Sequence, residues 1–118
     1  LSHWGRDRKS GRIDLPWLVR WITSATAEAI GLNDRGRIAP GYRADLNVID
    51  FDRLGQSYPY LTYDLPMGGK RFMQKGEGYV ATFLGGVATY REGEPTGVLN
   101  GKLVRGPQAA PATAKAAE

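Results

Sequence analysis

The phrase Gly36-Arg-Ile-Ala-Pro-Gly-Tyr-Arg-Ala-Asp-Leu-Asn-Val-Ile-Asp50 constrains the fold of this chain more than any other stretch. Asp34-Arg-Gly36 and Ala39-Pro-Gly41 are turn signals, because glycine reaches positive φ and proline fixes the backbone beside it. The run from Ala44 to Phe51 is rich in Leu, Val and Ile, and bounded this way it reads as a strand. The pattern before the phrase is helical, and the pattern after it is strand and turn. The chain therefore reads as α+β, with its helical part first.

Upstream, Asp14 is a good N-cap and Pro16 suits a first helical turn. Leu15, Leu18, Val19 and Ile22 then follow the i, i+3, i+4, i+7 spacing of one helix face. Thr23-Ser24 interrupts, because these side chains compete for backbone hydrogen bonds and often cap a new helix. Ala25 to Ile30 is a second helical stretch, closed by Gly31 as a left-handed C-cap with Leu32 packing back. Two short helices and one kinked helix both satisfy this pattern. Trp17 and Trp21 lie four apart and share a face, where packing is their expected role. Residues 1–13 are polar, basic and without periodicity, and read as a loop.

Downstream, residues 53–70 contain Pro59, Pro66, Gly68 and Gly69 and read mainly as loop, with Tyr58, Tyr60 and Tyr63 covering a core edge. Tyr79 to Tyr90 is the clearest hairpin, since Gly85-Gly86 suits a tight two-residue turn. Arg91 to Gly97 is turn-rich. Residues 107–118 are low in complexity and apolar content, and disorder is expected there.

A length of 118 residues suits one domain with little stability to spare. The absence of cysteine excludes disulfides and thiolate metal sites, and a lone histidine, His3, excludes a His-rich metal cluster. No apolar run approaches the ~20 residues that span a bilayer, so no membrane partner is expected and a cytoplasmic location is the reading. The net charge of +4 is dispersed except for Arg6, Arg8, Lys9 and Arg12. That cluster sustains one competing function, a free-standing basic module binding nucleic acid or another polyanion. Asp45 and Asp50 lie five apart, on opposite faces of a strand, and no calcium-loop spacing is present. Gly68, Gly69, Gly85 and Gly86 are turn residues, because no Lys-Ser/Thr follows them in phosphate-loop register.

Taken with Thr23, Ala27 and Gly31-Leu32, the elements Gly36, Ile38, Gly41 and Ala44-Asp45-Leu46 resemble the segment after the last barrel helix of metal-dependent amidohydrolases. Further stretches narrow the likeness. They are His3-Trp-Gly-Arg-Asp-Arg8, Asp64-Leu-Pro-Met-Gly-Gly-Lys-Arg71, Gly93-Glu-Pro-Thr-Gly97 and Gly101-Lys-Leu-Val-Arg-Gly106. In this order they resemble the C-terminal part of the N-acyl-D-amino-acid deacylase group within amidohydrolase family 3. Asn100 stands where that pattern has proline, which reads as a surface-loop change.

The resemblance implies an α+β fragment: the terminal helix of a TIM-type barrel followed by part of a small flanking β-sandwich. Residues 1–32 would end the barrel, 33–106 would form the C-terminal part of the sandwich, and 107–118 would be the tail. A start at Leu1 rather than Met is expected of a truncated or excised piece. The implied reaction is hydrolysis of the amide bond of N-acyl-D-amino acids or similar amides. In such enzymes zinc lowers the pKa of a bound water and polarises the carbonyl. The zinc ligands and the proton-shuttling aspartate of the family would precede Leu1. No metal ligand or catalytic residue is therefore assigned here, and the chain alone is expected to be inactive. The implied partners are an N-acyl amino acid substrate and the missing N-terminal barrel portion.

His3, Trp4, Arg6 and Arg8 would fall in the loop after the eighth barrel strand, on the face where active sites of such barrels sit. An arginine there can pair bidentately with a substrate carboxylate. Each has a plainer reading beside this one. Arg6, Asp7 and Arg8 can form a local ion-pair network, His3 can be a hydrogen-bonded structural residue, and Trp4 can wall a pocket or pack in a core.

Overall fold

The computed structural model describes residues 1–112. In chain order it contains a π-helical turn (Ser2–Asp7), α1 (Leu15–Ile22), α2 (Ser24–Ala29), β1 (Leu46–Ile49), β2 (Gly55–Gln56), β3 (Tyr60–Leu65), β4 (Gly69–Met73), β5 (Gly76–Glu77), β6 (Tyr79–Leu84), β7 (Val87–Arg91) and β8 (Glu94–Pro95).

The helical part divides at Thr23, whose φ of −118° and ψ of −93° break the α conformation. Two hydroxyls turn back onto helix carbonyls there, Thr23 Oγ1 to Val19 O and Thr26 Oγ1 to Trp21 O, each at 2.6 Å. The pattern thus resolves into two short helices. Asp14 occupies the N-cap position, but its side chain makes no capping bond. α2 ends in a Schellman arrangement: Leu32 N–H donates to Ala27 O (2.8 Å) and Gly31 N–H to Glu28 O (3.0 Å), with Gly31 at φ 77°.

β1, β6, β7 and β8 form one antiparallel sheet in the order β1-β6-β7-β8. The β6–β7 turn is Gly85-Gly86 with φ of 58° and 82°. Positive φ at both central residues is the type I′ requirement, and its twist matches that of the flanking strands. β2 pairs with β5, and β3 with β4, as separate two-stranded ribbons.

Two stretches depart from the sequence reading. Residues 2–7 wind into a helical turn, closed by Arg8 N–H donating to His3 O at 3.2 Å. Six residues are too few to show periodicity, and Gly5 earns its place by packing: a Cβ there would lie 3.2 Å from Leu18 Cδ1. Residues 53–70, expected mainly as loop, hold β2, β3 and the start of β4. Pro59 precedes β3 and Pro66 follows it, so the prolines bound the strand rather than dissolve it. Tyr58, Tyr60 and Tyr63 are exposed there and cover no core edge.

The buried apolar residues are Leu18, Ala27, Leu54 and Ala81, and no described side chain is completely enclosed. The radius of gyration, 17.3 Å, exceeds the ~13–14 Å of a compact chain of this length. Of the Leu15, Leu18, Val19, Ile22 face, only Leu18 is buried; Val19 and Ile22 are exposed. Trp17 and Trp21 stack on each other with centroids 5.3 Å apart and stay about half exposed. Asn100 is less peripheral than its surface-loop reading: its amide donates to Leu84 O at 2.7 Å. Of the expected tail, residues 113–118 lie outside the described residues. Within 107–112, Gln108 bridges Leu32, donating to Gly31 O (2.8 Å) and accepting from Asn33 N–H (3.2 Å). No helix is long and apolar enough to cross a membrane among the described residues.

Candidate functional site

The four sequence-selected residues sit on or beside the 2–7 turn, but they divide into two tasks. Arg6 is turned into the protein. Its Nη1 donates to Phe51 O and to Asp52 O (2.8 Å), its Nη2 to Leu54 O (2.8 Å) and Asp7 Oδ2 (3.3 Å), and its Nε to Asp7 Oδ1 (2.6 Å). A guanidinium has five N–H donors, and all five are taken. The group also lies 5.6 Å from the centroid of the Phe51 ring. Hydrogen bonding to Arg6 holds the Asp7 carboxyl below its usual pKa range and keeps the pair ionised. Arg6 is thus a clasp between the first turn and the 51–54 loop that carries buried Leu54.

His3, Trp4 and Arg8 form the outward group. The His3 and Trp4 rings meet edge to face, 5.4 Å apart at 88°. The Arg8 guanidinium lies 4.3 Å over the Trp4 ring, within cation–π range. Trp4 is about half exposed. A stacked guanidinium keeps its in-plane N–H donors available, and an aromatic platform restricts its motion. The arrangement suits an anionic, planar group such as a carboxylate.

The Arg6 clasp gives a direct test. Arg6→Lys keeps the charge but cannot satisfy three carbonyls and a carboxylate at once. Amide hydrogen exchange at residues 50–54 will accelerate in Arg6→Lys, while exchange in β6 and β7 stays unchanged. Equal protection of 50–54 in both proteins would remove the clasp.

A second polar cluster fixes the turn-and-strand phrase. Arg35 spans Asp34 (2.8 and 3.0 Å) and Asp45 (3.1 Å), and Arg43 Nε reaches both Asp45 oxygens (2.8 and 3.0 Å). Asp45 Oδ1 also accepts Gly85 N–H at 2.8 Å, tying the phrase to the β6–β7 turn. The role is architectural. Hydrogen bonds from Arg35 depress the Asp34 pKa below 3.8. A depressed folded pKa contributes stability above the unfolded value, lost as pH falls through the folded one. The urea midpoint will therefore drop on acidification below about pH 4, and Asp34→Asn will flatten that limb. An unchanged acid limb in Asp34→Asn would contradict the assignment.

A shallow cleft of about 250 Å³ lies between Arg53, Ser57, Lys75–Tyr79 and Glu92–Glu94. Spacing could not reveal it, because three distant segments converge there. Its cations face carboxylates: Lys75 and Glu94 are 2.9 Å apart, and Arg53 and Glu92 3.8 Å. The hydrogen bond to Glu94 raises the Lys75 pKa, so the ammonium stays charged and is no base at neutral pH. Among the described residues no three His, Asp or Glu side chains are grouped to hold a metal ion. Asp45 is committed to two arginine side chains, and Asp50 accepts Arg53 N–H at 3.2 Å. The described residues do not group the ligands that the zinc implied by the sequence resemblance would need.

Comparison with known proteins adds the following. A family model described as the amidohydrolase family matches residues 3–104. Adenine deaminase 1 of Rhizobium johnstonii is 42% identical over 50 residues, which cover 42% of this chain and 9% of that protein. Imidazolonepropionase of Ruegeria sp. is 59% identical over 32 residues, covering 27% of this chain and 8% of that protein. The chain spans under a tenth of the length of these curated relatives in the matched regions. No solved structure matches it.

Proposed function

The chain belongs to the amidohydrolase family, and we propose that it is the C-terminal part of a metal-dependent enzyme hydrolysing amide bonds of N-acyl-D-amino acids or similar amides. Zinc and the groups that act on the scissile bond come from residues outside this segment. The family match over residues 3–104 carries the reading. In it, α1 and α2 close a TIM-type barrel, and the sheet β1-β6-β7-β8 belongs to the flanking sandwich. The exposed Trp17, Trp21, Ile22 and Ile30 support this, since such side chains ordinarily pack against something. His3, Trp4 and Arg8 face the substrate, and Arg6 positions the turn that carries them.

The test is made on the polypeptide purified from its own cells through a C-terminal tag. It should release carboxylate from N-acetyl-D-amino acids, lose this activity to a chelator and regain it with zinc. Failure to hydrolyse any N-acyl amino acid, or activity indifferent to chelation, would contradict the reading. For the same protein, Arg8→Leu will raise KM about 10-fold, the ~1.4 kcal/mol of one charge-assisted contact. Its kcat will change little, and a KM unchanged by the substitution would remove Arg8 from the site. The basic-module alternative is weakened by Arg6, whose donors are occupied within the protein.

A further inference from the structure

We propose that Asp50 is a positioning residue for the turn of residues 2–7. It sets the 50–54 loop whose carbonyls aim Arg6, and through Arg6 it sets the outward pair Trp4 and Arg8. That the outward pair meets substrate rests on the function proposed above; that Asp50 holds the turn rests on geometry alone.

Asp50 stands where β1 ends and the chain turns. Its backbone is fixed on the start of β6. Asp50 N–H donates to Gly78 O at 2.8 Å, and a Cβ on Gly78 would lie 2.8 Å from Asp50 O. Its side chain reaches forward, where Oδ1 accepts the N–H of Arg53 at 3.2 Å. That bond closes residues 50–53 into a turn, as aspartate side chains commonly do. Phe51 O accepts Leu54 N–H at 3.4 Å within the same loop. The ion pair between Asp50 and the Arg53 side chain is long, 3.9 Å, and Arg53 is exposed, so it contributes little. The loop uses the acceptor oxygen of Asp50 rather than its charge.

The closed turn puts three carbonyls on one group. Phe51 O, Asp52 O and Leu54 O all accept from Arg6, the last two at 2.8 Å. If the loop opened, these acceptors would separate and leave part-buried donors of Arg6 unmatched. Phe51 adds a second contact. Its ring lies 5.6 Å from the Arg6 guanidinium and 3.9 Å from where a Cβ on Gly5 would stand. Residues two apart on a helical turn do not share a face. Arg6 therefore points inward while Arg8 lies 4.3 Å over the Trp4 ring on the outward side. Trp4 O accepts Ile13 N–H at 2.9 Å and His3 O accepts Arg8 N–H at 3.2 Å, which ties the outward pair to the backbone that carries Arg6.

Hydrogen exchange and steady-state kinetics of the full polypeptide test this together. The reporting amides are Gly5, Arg8 and Ile13, which donate to Leu1 O, His3 O and Trp4 O. Asp50→Ala will speed their exchange about 5-fold, as for one lost hydrogen bond. Asp50→Asn keeps the oxygen acceptor and will exchange as the wild type does. Arg6→Lys joined to Asp50→Ala will be no faster than Arg6→Lys alone, because both act through one clasp. In hydrolysis, Asp50→Ala will raise KM by about the same 5-fold and leave kcat nearly unchanged, and Asp50→Asn will restore KM. Gly86→Ala, which strains a turn away from the loop, will move neither readout. Unchanged exchange in Asp50→Ala, an Asp50→Asn as fast as Asp50→Ala, or effects additive with Arg6→Lys overturns the proposal. So does a KM that stays put while the three amides speed up. A wild type that hydrolyses no N-acyl amino acid counts against the function proposed above, and exchange alone then decides on Asp50.

Discussion

Gly78→Ala will destabilise the fold by about 3 kcal/mol or more. A Cβ at position 78 would stand 2.7 Å from both Cα and N of Leu54 and 2.8 Å from Asp50 O. These are backbone atoms, which cannot rotate aside as a side chain tip can. Gly78 also has φ 81°, where an L side chain costs ~1–2 kcal/mol, and overpacking adds ~1–3 kcal/mol. Asp50 N–H donates to Gly78 O at 2.8 Å, so any relaxation would break the bond that holds the 50–54 loop on the start of β6. Leu54 would leave the small core with it. Gly86 supplies the control. Its φ of 82° is nearly the same, yet nothing lies within 4 Å of its would-be Cβ. Gly86→Ala should therefore show only the conformational part, ~1–2 kcal/mol. Urea denaturation of the three proteins separates the two terms. Equal losses in Gly78→Ala and Gly86→Ala would mean that the approach of Leu54 to β6 is not as close as described.

The 118-residue chain purified alone will hydrolyse no N-acyl amino acid, and adding zinc will not change that. Hydroxide generation at neutral pH needs an ion held by three or so protein ligands with one position open. His3 is the chain's one histidine, and it stands edge-on to Trp4. The carboxylates best placed to help are already engaged. Asp7 is bonded to Arg6, Asp34 to Arg35, and Asp64 to Arg71, and each of these pairings lowers the carboxylate pKa. Each accepts two hydrogen bonds from its arginine, and among the described residues no three His, Asp or Glu side chains are grouped to hold a metal ion. Assay with N-acetyl-D-amino acids across a zinc titration, beside the full polypeptide, decides the matter. Turnover by the isolated chain that rises with zinc would place a metal site within it.

The elements written by local chemistry were legible in the sequence. The Gly85-Gly86 turn, the interruption at Thr23 and the Gly31 cap each depend on residues a few positions apart. The strand expected over 44–51 appears as β1, shortened to Leu46–Ile49 because Asp50 leaves the β1–β6 ladder to bond Gly78. What sequence could not show depends on distant partners. The carbonyls that clasp Arg6 come from residues 51–54, more than forty positions away. Nothing near Arg6 distinguishes a clasping arginine from a substrate-binding one. The β3–β4 hairpin was hidden for a different reason. Its glycines and prolines resemble loop punctuation, while its strand pairing is visible only once Leu61 faces Phe72. The four candidates His3, Trp4, Arg6 and Arg8 were chosen together from the sequence, and the separation of Arg6 from the other three required geometry.

The most direct test of the central claim is to read the genomic DNA upstream of the codon for Leu1. If the chain is the C-terminal part of an amidohydrolase, the frame extends by several hundred codons and contains a His-x-His stretch able to supply metal ligands. A stop codon followed by a start site immediately before Leu1 would contradict it. The metal and the catalytic groups would then have no place in the same polypeptide.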